Sequence, residues 1–216
     1  MTESSGTPLP KIGDPAPLFT AKTTMGEIRL ADYRGKWVIL FSHPADFTPV
    51  CTTEFIAFSR NHAEFKRRNA QLLGLSIDSL PAHLAWMNNI REKMGVEVPF
   101  PLIADLTTTV ASLYGMIHPG ADETATVRCV FIIDPKQMIR AIIYYPLNVG
   151  RNIAEILRLL DALQTADGNG VALPADWRPG DKVIEPAPQH MDDVKLRFQG
   201  DLRGTDWYLK RKKLED

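Results

Sequence analysis

The stretch from Trp37 to Phe65 changes its period part-way along, and that change constrains the fold more than any other feature of the chain. Trp37-Val-Ile-Leu-Phe41 is an unbroken apolar run, the pattern of a strand buried on both faces. Phe55, Phe58, His62 and Phe65 then recur at helical spacing. Between the two lie His43, Pro44, Asp46 and Pro49, and then Cys51 followed by Thr52, Thr53 and Glu54. A strand that feeds a helix through such a turn puts Cys51 at or just inside the first helical turn. Peptide N–H groups are unpaired there, and the helix dipole favours an anion. A cysteine so placed tends towards the thiolate. A lone cysteine is also often a buried apolar residue, and position by itself leaves both readings open.

The rest of the chain alternates in the same way. Phe19-Thr-Ala-Lys22 and Glu27-Ile-Arg-Leu30 flank Met25-Gly26 as a weak hairpin. The helix after Cys51 is expected to run to Arg68. Gln71 to Ile77 reads as a buried strand, and Asp78-Ser79-Leu80-Pro81 opens a helix that continues through Leu84, Trp86, Met87 and Ile90 to Met94-Gly95. Leu102 to Ala104 is a brief strand, and Thr107 to Tyr114 a short helix stopped by Gly115. Thr126 to Ile133 and Met138 to Tyr145 form a hairpin about Asp134-Pro135. Ile153, Ile156, Leu157, Leu160 and Leu163 mark one stripe of a helix over 152–166. This is an α/β order. Asp167-Gly-Asn-Gly170 reads as a linker. Beyond it Pro174, Pro179, Pro186 and Pro188 break up a segment too short for a large core of its own, which divides the chain into domains at 1–170 and 171–216.

Net charge is −1, which gives no basic field for nucleic acid or an anionic membrane surface. No apolar run reaches the length of a membrane span. The N-terminus lacks the basic start and apolar core of a signal peptide and reads as a short flexible lead. Two cysteines make neither a disulfide framework nor a four-ligand zinc site, and a reducing cytoplasm suits them. The histidines show no metal-ligand spacing, and no cofactor is implied. Lys210-Arg-Lys-Lys213 reads as a solvated tail.

Pro44, Thr48 and Cys51 form P-x-x-x-T-x-x-C, and the string His43-Pro-Ala-Asp-Phe-Thr-Pro-Val-Cys-Thr-Thr-Glu54 resembles the one-Cys, peroxiredoxin 6 type of the peroxiredoxins. The resemblance runs from about Gly13 into the C-terminal region. It implies a thioredoxin-like fold with a mixed central sheet, flanking helices and a small C-terminal extension that contributes to a dimer, as a pair or as a ring of dimers. It implies a thiol-dependent peroxidase for hydrogen peroxide and organic hydroperoxides, recycled by an external thiol reductant such as thioredoxin or glutathione. By the same resemblance Cys51 attacks the peroxide, Pro44 shields it and the Thr48 hydroxyl hydrogen-bonds thiolate and peroxide. His43 lies near the thiolate, and Arg128 and Arg151, matched through T-x-R-x-V-F and G-R-N, lie near the cysteine. Some members also carry a phospholipase activity on a Gly-Asp-Ser-Trp-Gly motif with His and Asp. Here Arg34-Gly-Lys-Trp-Val38 has no serine, and Ala31 and Lys136 stand where the His and Asp would align, so the sequence departs from that pattern.

The chemistry can be read independently. A free thiol of pKa about 8.5 is only a few per cent ionised at neutral pH. Lowering such a thiol to roughly 6 takes about 3.4 kcal/mol of preference for the anion, and an exposed helix terminus supplies about 0.3–1 kcal/mol. A cation is therefore wanted. Arg128, set in an otherwise apolar strand, needs an anion if it is buried there, or else it lies at a strand end with its head in solvent. Arg151 precedes the long helix and reads equally as a solvated loop residue. Glu54 caps the helix or pairs with an arginine. Strand neighbours point to opposite faces, so if Arg128 faces Cys51 then Cys129 faces away as a core residue. No C-x-x-C occurs and no cysteine follows residue 129, hence the external reductant. Two other classes fit parts of the sequence: an oligomeric holdase chaperone or redox-signalling scaffold, and a Cys–His hydrolase, for which no orienting Asn or Asp stands at a recognisable spacing.

Overall fold

The computed structural model describes residues 9–122, 124–199 and 206–214. The expected N-terminal lead falls mostly on residues 1–8, outside the described residues. The chain groups into two compact units, one to Ile153 and one from Ala154.

The first unit is built on a seven-stranded mixed sheet. Its strands are β1 (Thr20–Thr23), β2 (Gly26–Arg29), β3 (Trp37–Ser42), β4 (Ala70–Ser76), β5 (Leu102–Ala104), β6 (Arg128–Ile133) and β7 (Ile139–Tyr145), in the order β2-β1-β5-β4-β3-β6-β7. β3, β4 and β5 run parallel, with helices in the crossovers, as parallel neighbours require. β6 pairs antiparallel with β3, and β7 with β6. Every residue of β3 and β6 is buried, which is why both read as continuous apolar runs. The expected β1–β2 hairpin forms, with Thr20 opposite Arg29 and Thr23 opposite Gly26.

The crossovers hold α1 (Pro49–Arg60), α2 (His62–Arg67) and α3 (Leu80–Met94); α4 (Thr109–Leu113) precedes β6. One helix was expected from Cys51 to Arg68, but the structure breaks it at Asn61. The Asn61 backbone N–H and side-chain amide both donate to the Ala57 carbonyl, at 3.1 and 2.8 Å, and this local competition closes α1 before α2 begins. α3 keeps its expected ends. Ser79 Oγ accepts from Ala82 N–H at 3.3 Å, and Gly95 takes the left-handed conformation at φ 66°.

Phe41, Phe55, Phe58 and Phe100 form an aromatic layer against the sheet beneath α1, with Phe41 stacked on Phe58 at 4.1 Å between ring centroids. Gly74 of β4 makes room for it. A Cβ there would lie 2.9 Å from Leu102 Cδ1 and 3.3 Å from Phe55 Cζ. Gly74→Ala is expected to overpack this layer and cost about 1–3 kcal/mol, read by denaturant unfolding.

The second unit contains α5 (Ile153–Asn169) apart from its first residue, the two-residue strands β8 (Val183–Ile184) and β9 (Arg211–Lys212), which pair antiparallel, and α6 (Met191–Phe198). α5 continues through Gly168, three residues past its expected end, and stops at Gly170 with φ 59°. Ala162, Val171, Trp177 and Val183 form the unit's small core. α6 and the β8–β9 pair were not expected. α6 has no buried residue; its apolar positions Met191, Val194 and Phe198 recur at helical spacing but cover only two turns. Among the described residues no helix is long and apolar enough to cross a membrane.

Candidate active site

Thr48 is the N-cap of α1, with Pro49 at the first helical position, where its missing N–H costs nothing. Cys51 therefore lies in the first turn, as the change of period predicts, and its side chain is fully buried. Its sulfur accepts a hydrogen bond from Arg128 Nη1 at 3.3 Å. The same Nη1 donates to Glu54 Oε2 at 2.8 Å, while Nε and Nη2 donate to the Leu147 carbonyl at 2.9 and 2.7 Å. Glu54 sits one position short of a full turn beyond Cys51, on the same side of the helix.

Arg151 reaches Glu54 from the other side. Its backbone N–H and Nε both donate to Oε1 at 2.8 Å, and Nη2 donates to Oε2 at 2.6 Å. Its Nη1 donates to the Ser42 and Cys129 carbonyls, each at 2.9 Å, and its guanidinium lies over the rings of Phe41 and Phe58. Exposure is 2% for Glu54, 2% for Arg128 and 6% for Arg151. Burial pushes the Glu54 carboxyl up, but the charge and hydrogen bonds of Arg151, with Arg128 behind them, hold it below the ordinary carboxylate range. The solvated alternatives for both arginines are thus ruled out. The cluster of two guanidinium groups and one carboxylate carries one net positive charge in a buried site, and a thiolate on Cys51 would neutralise it.

The other expected residues are placed less directly. The Thr48 hydroxyl donates to the Ala45 carbonyl at 2.8 Å, which leaves its oxygen as an acceptor only. Pro44 is half-buried just after β3. His43 is fully buried, and its ring bonds Asp46 Oδ1 through Nε2 at 2.9 Å; Nδ1 has no hydrogen-bond partner, so the ring makes no hydrogen bond to Cys51. Cys129 points to the opposite face of β6 from Arg128, into the core with Leu40, Phe131 and Tyr114. Ser42 Oγ donates to the Val127 carbonyl at 2.5 Å, so the Cys129 thiol, 3.1 Å away, is the donor to that oxygen. Burial pushes the Cys129 thiol up to about 11.

The AhpC/TSA family model matches residues 12–142, and the C-terminal domain of 1-Cys peroxiredoxin matches residues 162–200. The chain belongs to the peroxiredoxins. Its relatives include a peroxiredoxin of Aquifex aeolicus, 55% identical over 95% of this chain and 98% of the relative, and peroxiredoxin 2 of Caldanaerobacter subterraneus, 57% identical over 95% and 94%. Among solved structures it is similar to a yeast mitochondrial 1-Cys peroxiredoxin, with TM-score 0.84 and 43% identity over 94% of this chain and 99% of that one. It is also similar to a cysteine-to-serine mutant of peroxiredoxin 6 of Arenicola marina, with TM-score 0.83 and 36% identity over 94% and 97%. This peroxiredoxin is therefore a thiol-dependent peroxidase on a thioredoxin-like fold.

Sequence reasoning about this peroxiredoxin missed Asp46 and His83. Asp46 Oδ2 lies 2.7 Å from His83 Nδ1, and the Asp46 backbone N–H donates to Asp78 Oδ2 at 3.0 Å. The signal was present in α3, where His83, Trp86 and Ile90 are the buried positions while Leu84 is 50% exposed. Among the described residues His43, Asp46 and Asp78 bring ligand atoms within 4.8 Å of one another. Asp46 spends both oxygens on histidines, and Asp78 Oδ2 accepts from Ser76 Oγ at 2.6 Å, so this set is engaged in its own hydrogen bonds.

Proposed function

We propose that Cys51 is the peroxide-reducing thiol and that the enzyme runs a one-Cys cycle. The carrying observation is that Arg128 Nη1 reaches both the Cys51 sulfur and Glu54, a carboxylate shared with Arg151, so that among the described residues an anion on Cys51 balances the second guanidinium. The Cys51 thiolate attacks the distal peroxide oxygen, the O–O bond breaks, and a sulfenic acid forms with water or an alcohol as the other product. Arg128 holds the sulfur and stabilises charge passing to the leaving oxygen. Thr48, whose hydroxyl proton is held by Ala45, accepts a hydrogen bond from the peroxide O–H. Pro44 covers the sulfur, His43 serves the proton traffic, and Arg151 keeps Glu54 against Arg128.

Cys129 is a core residue in this account, because it faces away from Arg128 and its thiol is held protonated. An external thiol, of the thioredoxin or glutathione class, attacks the sulfenic acid to give a mixed disulfide that a second thiol releases. Cys51→Ser is expected to abolish peroxide consumption, and Cys129→Ser to retain most of it at some loss of packing stability. Steady-state peroxide assays with both variants test the assignment, and full activity in Cys51→Ser would end it.

The protein acts in a reducing cytoplasm as a homodimer or ring of dimers, with 171–216 as the dimerisation segment. In support, α6 keeps Met191, Leu196 and Phe198 exposed at 70%, 64% and 56%. Light scattering is expected to give at least a dimer for the full chain and a weaker one after truncation at Gly170; a full-length monomer would refute the assembly.

A further inference from the structure

The head of Arg128 is held from behind by the main chain that follows β7. Arg128 lies opposite Tyr145 in the β6–β7 ladder. Pro146 keeps Tyr145 extended and fixes its own φ, so the chain leaves β7 in a restricted direction. It then turns at once, and the Val149 N–H closes the turn by donating to the Pro146 carbonyl at 3.2 Å. Inside that turn the Leu147 carbonyl accepts from both Arg128 Nε, at 2.9 Å, and Nη2, at 2.7 Å. The Leu147 side chain packs against the core cluster that holds Cys129 and Phe131. The far end of the segment rests on α1. A Cβ at Gly150 would touch Val50 Cγ1 at 3.5 Å, and the Arg151 backbone N–H donates to Glu54 Oε1 at 2.8 Å.

We propose that Leu147 is a positioning residue of the peroxide-reducing centre, and that it acts through its backbone carbonyl. The proposal rests on the reading that Arg128 stabilises the Cys51 thiolate. The Nε/Nη2 edge of an arginine is the edge that fits a carboxylate. Here a neutral carbonyl fills that edge, with two consequences. A guanidinium is planar, so fixing one edge also fixes the direction of the third nitrogen. Arg128 Nη1 is thereby aimed at Cys51 Sγ, 3.3 Å away, and at Glu54 Oε2, 2.8 Å away. The second consequence is electrostatic. A carboxylate on the Nε/Nη2 edge would cancel the charge that Arg128 offers the sulfur, whereas a carbonyl holds the group and leaves its charge in place. The other charged groups of the cluster, Glu54 on α1 and Arg151 ahead of α5, are held to each other by their own ion pair. Leu147 itself makes and breaks no covalent bond in the reaction.

Replacing the amide between Leu147 and Asn148 by an ester tests this in the full chain. The α-hydroxy analogue of asparagine at position 148 weakens the Leu147 carbonyl as an acceptor and keeps every side chain. Asn148 is exposed, and among the described residues its N–H has no acceptor, so losing that donor costs little. The ester is expected to slow Cys51 oxidation by about threefold to tenfold and to move its pH profile to higher pH. In an Arg128→Met background the same ester is expected to add nothing, because the carbonyl acts only through the guanidinium. Nitrogen NMR of the arginine side chains, assigned with Arg128→Met, reads the contact without any assay of activity. The Arg128 Nε–H is expected to exchange slowly with water in the wild type and faster in the ester. A folded ester variant with the wild-type rate and pH profile would overturn the proposal, as would equal slowing in the Arg128→Met background. Should the ester variant fail to fold, the wild-type spectrum decides, and an Arg128 Nε–H exchanging as fast as that of exposed Arg60 would overturn it. If instead Arg128→Met itself kept the wild-type rate, the reading of Arg128 would fall and the proposal with it, while slow Nε–H exchange would still be seen.

Discussion

Glu54→Ala is expected to destabilise the protein by about 3–5 kcal/mol, because it leaves two buried guanidinium groups without their anion. At this chain length that corresponds to a fall in Tm of about 6–20 °C, read by calorimetry. The loss is set by burial and not by the number of ion pairs. Arg29 and Asp32 make a similar 2.9 Å pair with both side chains about half exposed or more, and Asp32→Ala is expected to change nothing measurable. The same carboxylate shapes acid stability. Its folded pKa lies below the ordinary 4.5, so its contribution is fully present above that value and is lost as the pH falls through the depressed one. Glu54→Ala should therefore show a shallower acid limb than wild type in addition to its lower plateau. An unchanged Tm would mean that the cluster is not holding this part of the fold together.

Arg128→Met is expected to slow the oxidation of Cys51 by at least about tenfold, since a hydrogen bond to a charged group is worth about 1.5–3 kcal/mol. The charge count gives the sign. Without Arg128, the remaining Arg151 and Glu54 cancel each other, and a thiolate on Cys51 becomes an uncompensated buried charge. Arg151→Met should slow the step less, because Arg151 does not touch the sulfur. Its cost should appear chiefly in stability, since it also holds the Ser42 and Cys129 carbonyls. Stopped-flow oxidation of both variants separates the two roles. Unchanged kinetics in Arg128→Met would remove Arg128 from the mechanism.

The parts of this site that were legible in the sequence were those with local signals. Cys51 was placed by a change of period, and Arg128 stood out as one charge in an apolar strand. Cys129 was assigned to the core by alternation alone, and the structure puts it there. Other features depend on distance in sequence. Glu54 could be read as a cap or a partner, and only the fold brings Arg128 and Arg151 to it across 74 and 97 residues. Asp46 and His83 are 37 residues apart; the spacing of His83, Trp86 and Ile90 marks His83 as buried, but nothing local to it points to Asp46 as its partner. The break at Asn61 escaped notice because the apolar spacing of Phe58, His62 and Phe65 continues across it. The C-terminal elements escaped because they are short: α6 has eight residues between prolines and charged residues, and β8 and β9 have two each.

The central claim is that one cysteine reacts and the other does not. Full-length protein treated with one equivalent of hydrogen peroxide, without reductant, and analysed by peptide mass spectrometry under non-reducing conditions tests it most directly. The account predicts a single added oxygen on the Cys51 peptide, advancing to two and three with excess oxidant, and an unmodified Cys129. A stoichiometric Cys51–Cys129 disulfide, with turnover lost in Cys129→Ser, would contradict it and make Cys129 a resolving thiol.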